Sequence, residues 1–534
     1  MFLLINIISF FWWARTIKAI LFWVYLWQLK EYHVGRFLDH FRTASGKKIF
    51  YNWLFLSKII LVFLLSIQYE LILYVIFAIY LAESALFFQG IAQNRIKKPV
   101  FTAKAKLLTI VSIALYLFLV HGYIKNGFLF YILIFDILTP VFVSLVVLMF
   151  QPFFVYGRNK ILKKAKEKIR GFENLTVIAI TGSYGKTTTK EFLKTILSEK
   201  FSVLATPEHK NSEMGIAQTI LEDLHQEHEI FIVEMGAYNK GGIRLLCDMV
   251  RPSIGLVVGV NEQHLATFGS LENLLSAEGG GELLEHLPKD GLLIVNGDNK
   301  YCLDLYKKAG NNKKLYTLNK HTIHSDIWTE ELDVHKNFIS FIAVSSQKEL
   351  AHFNVYVLGG HNVQNMLGAI LVAKELGMSF EEISMAAKNI HPNQAGIILY
   401  RGLHGMQIID SSYSSNPDGV MADLDYLSVF EGKKVMVMPC LIELGGKSAH
   451  IHHAVGKKIA SVCDLAIITT RDQFESLRFG ALESGMAEEQ IILCDNAKEI
   501  LAHITTFCKE GDSVLLEGRV PRELIESLNY EMPI

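Results

Sequence analysis

The chain holds 534 residues, 52 of them basic and 53 acidic, for a net charge of −1. That length fits three or four domains, and the balanced charge excludes the basic footprint of a wholesale nucleic-acid binder. Hydrophobic residues make up 51% and mean hydropathy is +0.29, an apolar excess that falls mostly before about Phe153.

Five apolar stretches open the chain: Phe2 to Trp27, Trp53 to Ile67, Leu71 to Phe88, Leu107 to Val120 and Phe128 to Phe150. A bilayer core takes about 20 apolar residues per helix, so the second and fourth must borrow flanking residues to cross. The first carries Arg15 and Lys18. No small-residue cleavage site follows it, which argues against a signal peptide, and five such stretches in a row argue against soluble core helices. The segment Leu29 to Lys48 holds Lys30, Arg36, Arg42, Lys47 and Lys48; Ile91 to Lys106 holds Arg95, Lys97, Lys98, Lys104 and Lys106. The run "GRNKILKKAKEKIRG" spans Gly157 to Gly171, while the loops around Gln68 to Glu70 and His121 to Asn126 are nearly uncharged. Five crossings with the N-terminus outside put all three basic segments in the cytoplasm, as the positive-inside rule requires. The expectation is a multi-pass cell (inner) membrane protein, in contact with membrane lipids, whose soluble part lies in the cytoplasm. The last basic run reads equally as a helix on an anionic lipid surface or as a solvated linker.

Next comes "LTVIAI" (Leu175 to Ile180), a β-branched run that reads as a buried strand. It leads through Thr181-Gly182-Ser183-Tyr184-Gly185-Lys186-Thr187-Thr188 into a helical pattern. Strand, Gly-rich turn and helix N-terminus make an anion site, because backbone N–H groups and the helix dipole both favour phosphate. Lys186 would reach the outer phosphates of a nucleotide and Thr187 would ligate Mg²⁺. The longer GxxxxGK[ST] form wants Gly where Ile180 stands. "HEIFIVEMGA" places Glu234 at the end of a second strand, where an acid commonly holds Mg²⁺. A third strand, Ile254 to Val260, runs into "NEQHLATFGS" with His264. Polar groups at three successive strand ends point to one site. Six scattered cysteines, Cys247, Cys302, Cys440, Cys463, Cys494 and Cys508, show neither zinc spacing nor a disulfide framework and read as reduced, packed thiols.

From about Asn174 to the end, the sequence resembles the Mur ligases, ATP-dependent amide-bond-forming enzymes of bacterial cell-wall synthesis. The stretches that carry the resemblance are "TGSYGKTTTKEFL", "HKNSEMGIAQTIL", "VEMGA", "RPSIGLVVGVNEQHLATFGSLENLLSAEG", "LIVNGDN", "GGHNVQNMLGA", "IIDSSYSSNPD", "IELGGKSAHIHHAVG" and "GDSVLLEGR". Within the family the chain looks most like the branch that adds D-alanyl-D-alanine to a UDP-muramoyl tripeptide. The family uses the shorter GxxGKT loop.

The resemblance implies ATP and Mg²⁺ as cofactors, with Gly182, Ser183, Gly185, Lys186, Thr187 and Thr188 on the ATP phosphates. It implies Lys186, Glu234 and His264 as catalytic residues and Thr187, Glu234 and His264 as metal ligands. Asn296, Asp298, Asn299, His361 and Asn365 match positions around the nucleotide base, and Asp410 matches an acidic residue near the ribose. "SSNPD" and His452 match further pieces of the C-terminal domain. Most relatives carry a carbamylated lysine fourteen residues after the metal-binding histidine; here Glu278 stands there, a carboxylate with a shorter arm and a candidate metal ligand. The family's Gly-Arg appears as Gly396-Ile397, one cation fewer near the phosphates, and Gly242 stands where relatives often have Glu. The family also opens with a UDP-binding domain, and a membrane domain occupies that place here.

The expected fold is an α-helical membrane domain (1–155), a basic linker (156–173), a central P-loop ATPase-like α/β domain with a mostly parallel sheet (174–393) and a Rossmann-like α/β domain (394–534), hinged to close over ATP. The expected activity is an ATP-dependent ligation of a carboxylate to the amine of an amino acid or dipeptide, through an acyl phosphate. The carboxylate would belong to a nucleotide- or lipid-linked peptidoglycan precursor, with no nucleic acid as partner. The competing readings are a poly-γ-glutamate-type polymer synthetase, which would lack the C-terminal matches, and a non-catalytic ATP-binding scaffold.

Overall fold

The computed structural model describes residues 2–30, 32, 34–41, 44–64, 69–93, 96–123, 128–310, 312–319, 324–412 and 415–529. Arg42, Ile67, Gln68, Arg95, Asn126, Tyr413 and Ser414, which the sequence analysis drew on, lie outside them. The chain divides into two compact units, 1–159 and 160–534.

The first unit is a bundle of helices: α1 (Phe2–Leu29), α2 (Val34–His40), α3 (Ala44–Phe50), α4 (Trp53–Leu64), α5 (Tyr69–Ala92), α6 (Ala103–Tyr123), α7 (Phe128–Ile137) and α8 (Thr139–Ile169). Four of these are long and apolar enough to cross a membrane, over Leu4–Leu29, Ile72–Ala92, Ala103–Val120 and Thr139–Ile169. Among the described residues this is one fewer than the expected five, and residues 65–67 of the Trp53 to Ile67 stretch lie outside them. The described part of the Trp53 stretch forms a helix of 12 residues, about 18 Å at 1.5 Å per residue. The Phe128 stretch breaks at Leu138 into α7 and the start of α8.

Cross-helix contacts set the directions. Trp12 Nε1 donates to the Ile132 carbonyl and Trp27 Nε1 to Ser144 Oγ, each at 3.0 Å, so α7 and α8 run alongside α1 in the same sense. Ser84 Oγ donates to the Phe11 carbonyl and Gln28 pairs with the Val100 backbone, so α5 does too. α6 runs the other way: Tyr116 packs near Trp12 while Lys104 stacks on Tyr32 and Phe154. Because α1 and α5 are parallel, the chain between them must return along the bundle, and α4 makes part of that return. One end of the bundle therefore gathers Lys30, Lys47, Lys48, Lys97, Lys98 and Lys104. The outer faces of the long helices expose Phe10, Ile110, Phe118 and Leu145, whereas Lys58, Glu83 and Asp136 are turned inward. That inside-out pattern is the reverse of a water-soluble bundle.

The basic run continues α8 as regular helix. Ile161, Leu162, Ala165 and Ile169 repeat at helical spacing and pack into the core of the α/β unit, and Lys168 Nζ donates to the Leu221 carbonyl at 3.0 Å. It is neither a lipid-surface helix nor a solvated linker, because its apolar stripe has a protein partner.

The second unit carries two sheets. The first contains β1 (Thr176–Thr181), β2 (Val203–Ala205), β3 (Ile230–Glu234), β4 (Ile254–Val257), β5 (Leu292–Asn296), β6 (Lys313–Thr317), β7 (Ile327–Val334), β8 (Ile339–Ser345) and β9 (Leu350–Val355), in the order β2-β3-β1-β4-β5-β6-β7-β8-β9. Pairing is parallel through β7 and antiparallel from β7 to β9. The parallel strands read as unbroken apolar runs because both faces are covered by helices. The second sheet contains β10 (Ile398–Arg401), β11 (Gln407–Ser411), β12 (Lys434–Met438), β13 (Leu465–Ile468), β14 (Ile491–Leu493) and β15 (Ser513–Glu517), in the order β10-β11-β15-β12-β13-β14. Only the β10–β11 pair is antiparallel. All six cysteines are buried and unpaired.

Candidate active site

β1 ends at Thr181, and α9 (Lys186–Leu197) starts five residues further on, at Lys186. Gly182 sits at φ +141°, and a Cβ there would lie 2.7 Å from the Gly259 carbonyl oxygen. Ser183 N–H donates to that same oxygen at 2.7 Å, so the loop lies flush against the segment after β4. Gly185, at φ +79°, is the N-cap of α9, and no side chain caps it. The first-turn N–H groups are thus left to an anion, the arrangement that phosphate loops use. A Cβ on Gly185 would collide with Asn365 Oδ1, which also accepts from Thr189 Oγ1 at 3.3 Å. The Lys186 ammonium lies over the loop and donates to the Gly182 and Ser183 carbonyls. Thr187 and Thr188 follow, half-buried, in the first turn.

β3 pairs with β1 so that Glu234 is level with Ile180, which delivers the carboxylate to the loop. Thr187 Oγ1 donates to Glu234 Oε1 at 3.1 Å and Asn211 Nδ2 donates to the same oxygen at 3.0 Å. The ammonium of Lys190, fully buried, lies 3.4 Å from Oε2. A second pair forms on the other side of the loop. His264 Nδ1 lies 2.9 and 3.1 Å from the two oxygens of Glu278, and Ser183 Oγ donates to Glu278 Oε2 at 3.0 Å. Burial opposes ionisation of Glu278, but the hydrogen bond from His264 and the charge of Lys186 outweigh it and hold this carboxyl below the usual carboxylate range. Among the described residues no three His, Cys, Asp or Glu side chains converge on one point. The donors come as two pairs, Thr187 with Glu234 and His264 with Glu278. The oxygen pair fits Mg²⁺, which takes one or two protein ligands and fills the remainder with water and phosphate.

The residues expected around the base mostly brace loops. Asn296 is buried, donates to the Val258 carbonyl at 2.9 Å and accepts from Asp298 N–H. Asn299 caps the helix Lys300–Lys308 and donates to the Val260 carbonyl at 2.9 Å. Asp298 accepts from Leu318 N–H and from Gln364. His361 is different: its Nδ1 is buried with no hydrogen-bond partner among the described residues, and burial pushes its pKa down. Asp410, at the end of β11, accepts from Ser412 N–H at 2.9 Å. His452 holds the chain rather than a ligand: Leu441 N–H donates to Nε2 at 2.9 Å, and Nδ1 meets the Ser448 carbonyl at 2.6 Å. Ile397 is buried in an apolar cluster with Leu358 and Ile409, surroundings with no place for a cation. Beside Gly242, Glu282 accepts from Gly241 and Arg244 N–H at 2.6 and 2.8 Å at the start of the helix Gly242–Val250.

The C-terminal sheet domain meets the His264 loop directly. Asn261 Nδ2 donates to Asp418 Oδ2 at 2.7 Å, Gln263 Nε2 to the Ser415 carbonyl at 3.0 Å, and Lys447 Nζ to Glu262 Oε1 at 2.7 Å. Glu443, in the left-handed region at φ +68°, lies 3.9 Å from His264 Nε2. Sequence reasoning missed Lys190, Asn211, Asn261, Asp418, Glu443 and Lys447. All six fall in stretches already quoted, but their partners are far away in the chain. Lys190 looks like any polar position of an amphipathic helix.

Comparison with known proteins follows this geometry. The family model described as the Mur ligase middle domain matches residues 180–373, and the one described as the Mur ligase, glutamate ligase domain matches 398–520. A UDP-N-acetylmuramoyl-tripeptide–D-alanyl-D-alanine ligase from a Synechocystis species is 28% identical over 348 residues, 64% of this chain and 72% of that protein. The Escherichia coli K12 enzyme of the same name is 28% identical over 357 residues, 66% of this chain and 77% of that one. Among solved structures, MurF from Acinetobacter baumannii superposes with a TM-score of 0.62 at 24% identity, covering 69% of this chain and 79% of that one. The Thermotoga maritima MurF ligase in complex with ADP gives 0.59 at 26% identity, covering 69% and 83%.

Proposed function

The chain belongs to the Mur ligase family, and from that premise we propose that it is an ATP-dependent ligase joining D-alanyl-D-alanine to a muramoyl-peptide carboxylate. The observation that carries this reading is the convergence on one loop of Lys186 and Thr187 with Glu234, and of Ser183 with Glu278 and His264. The substrate carboxylate attacks the γ-phosphorus of ATP, giving an acyl phosphate and ADP. The dipeptide amine then attacks the acyl carbon, loses a proton, and phosphate leaves. Two anions must meet in the first step, so positive charge has to be positioned beforehand. Lys186 and the α9 amides supply it from the protein. Thr187 and Glu234 would hold Mg²⁺, with His264 and Glu278 as a second candidate pair; bound metal supplies charge neutralisation at the transferring phosphoryl group. We assign His361 and Asn365 to the nucleotide, a reading supported by the unpartnered Nδ1 of His361 and by the approach of Asn365 to the loop at Gly185. Asp410 is assigned to its ribose. The C-terminal domain, engaged at Asn261 and Glu262, would exclude water when the site closes.

We place the N-terminal bundle in the cell membrane, with its basic end in the cytoplasm. The outward apolar faces and the gathered lysines support this. The test of function is phosphate release by full-length protein in detergent with ATP, Mg²⁺ and D-alanyl-D-alanine, comparing UDP-muramoyl tripeptide with its lipid-linked form. Release with either supports the ligase, and the preferred form identifies the acceptor. One observation favours a second reading, a nucleotide-binding scaffold: Ile397 removes a cation and is walled in by apolar side chains. In that case ATP binds and no phosphate is released with either acceptor.

A further inference from the structure

Inside the N-terminal bundle a cavity of about 640 Å³ lies between α1, α3, α5 and residues 96–97. Its base is an ion cluster. Arg15 Nη1 lies 2.6 Å from Asp136 Oδ1, and Lys58 Nζ lies 2.6 Å from Asp136 Oδ2 and 2.5 Å from Glu83 Oε2. Two cations and two carboxylates neutralise one another there. Lys18, close to one turn beyond Arg15, and Lys97 line the same cavity, and among the described residues neither has a carboxylate within 4.0 Å. Gln89 and Gln93 add neutral donors, and Phe22, Trp23, Phe50 and Phe55 make the wall apolar. Lys18 is half-buried and Lys97 is exposed; an ammonium among apolar helices is expensive unless paired, so Lys18 favours an anion that Lys97 can also meet.

We propose that this cavity binds a phosphate-bearing amphiphile, its headgroup between Lys18 and Lys97 and its apolar chain against Phe22, Trp23 and Phe55. A phosphate monoester carries about −1.5 to −2 charges at pH 7, which matches the two free cations. The apolar wall has no role for inorganic phosphate alone. The inference rests on the membrane location proposed above and is independent of the ligation chemistry.

The test titrates full-length protein in dodecyl maltoside with farnesyl phosphate, followed by tryptophan fluorescence, with Trp23 in the wall as reporter. Saturable binding is expected, at least tenfold tighter than that of farnesol or inorganic phosphate. The Lys18→Gln/Lys97→Gln variant, with its melting temperature unchanged, is expected to bind at least tenfold more weakly. Phosphatidylglycerol binding as tightly as farnesyl phosphate identifies a bulk anionic lipid as the source, and weaker binding identifies a single-chain phosphate; both sustain the site. Farnesol binding equally well overturns the proposal using wild-type protein alone, and undiminished binding by a folded double variant does the same. Carbonate washing of cell membranes separates the two failures. Protein released into the supernatant sinks the membrane reading itself, whereas membrane-retained protein indifferent to farnesyl phosphate sinks only this inference.

Discussion

At the scale of single residues, Lys186 and Glu517 make opposite predictions. Lys186 is half-buried and donates to two loop carbonyls, so Lys186→Ala is expected to lower kcat by about 10²–10³-fold, with little change in melting temperature. Phosphate-release kinetics beside a thermal melt check both halves. Glu517 is fully buried at the end of β15, and burial together with the charge of Asp423 raises its pKa well above the ordinary value. The folded state therefore binds a proton that the unfolded state has released. That contribution to stability is complete below about pH 4.3, the unfolded value, and is lost as pH rises toward the folded pKa. Glu517→Gln, which keeps the shape without the titration, should flatten the decline in melting temperature between pH 5 and 8. A parallel decline in both proteins would refute this. Most of the candidate site residues were legible because they sit in short motifs next to strand ends. Lys190 was not, since only the packing of α9 on the sheet shows that its ammonium is buried beside Glu234.

At the scale of elements, the decisive piece is the start of α9. Gly185 combines a left-handed φ with a Cβ position filled by Asn365. Gly185→Ala thus incurs about 1–2 kcal/mol of backbone strain and also displaces Asn365. The expected result is a lower melting temperature together with loss of ADP binding by calorimetry, whereas Lys186→Ala lowers turnover with its melting temperature kept. Glu282 acts at a different helix end. It accepts two N–H groups at the start of the helix Gly242–Val250, and Glu282→Ala should cost about 0.5–2 kcal/mol in a denaturant melt, with nucleotide binding retained. The sequence showed the strand, turn and helix around the phosphate loop because hydrophobic period and glycine placement are local signals. It did not show that the basic run after Gly157 continues α8. Charge dominates that run's composition, and its apolar stripe is meaningful only once a partner surface exists.

At the scale of the whole molecule, the two sheet domains meet through Asn261–Asp418 and Glu262–Lys447. Lys447 and Asp418 are partly exposed, so their contacts contribute little to stability, but they hold the His264 loop. Replacing both, Asp418→Ala with Lys447→Ala, should reduce kcat/KM about tenfold, a position effect at the active-site loop, with the melting temperature nearly unchanged. The N-terminal bundle makes its own prediction. Full-length protein should stay in carbonate-washed membranes, whereas the fragment 160–534, which keeps its own cores, should appear in the soluble fraction.

The sequence by itself determined the order of parts: an apolar helical region, then a phosphate loop, then motifs in family order up to "GDSVLLEGR". Those features are written in local composition, period and short spacing, which folding does not rearrange. The tertiary structure alone decided the rest. It turned Arg15, Lys58, Glu83 and Asp136 onto one another. It committed Asn296, Asn299 and His452 to bracing loops and joined Ser183, His264 and Glu278 into one hydrogen-bonded set. Ser183 and Glu278 are 95 residues apart in the chain, and only the parallel pairing of β1 with β4 brings them within a hydrogen bond of each other.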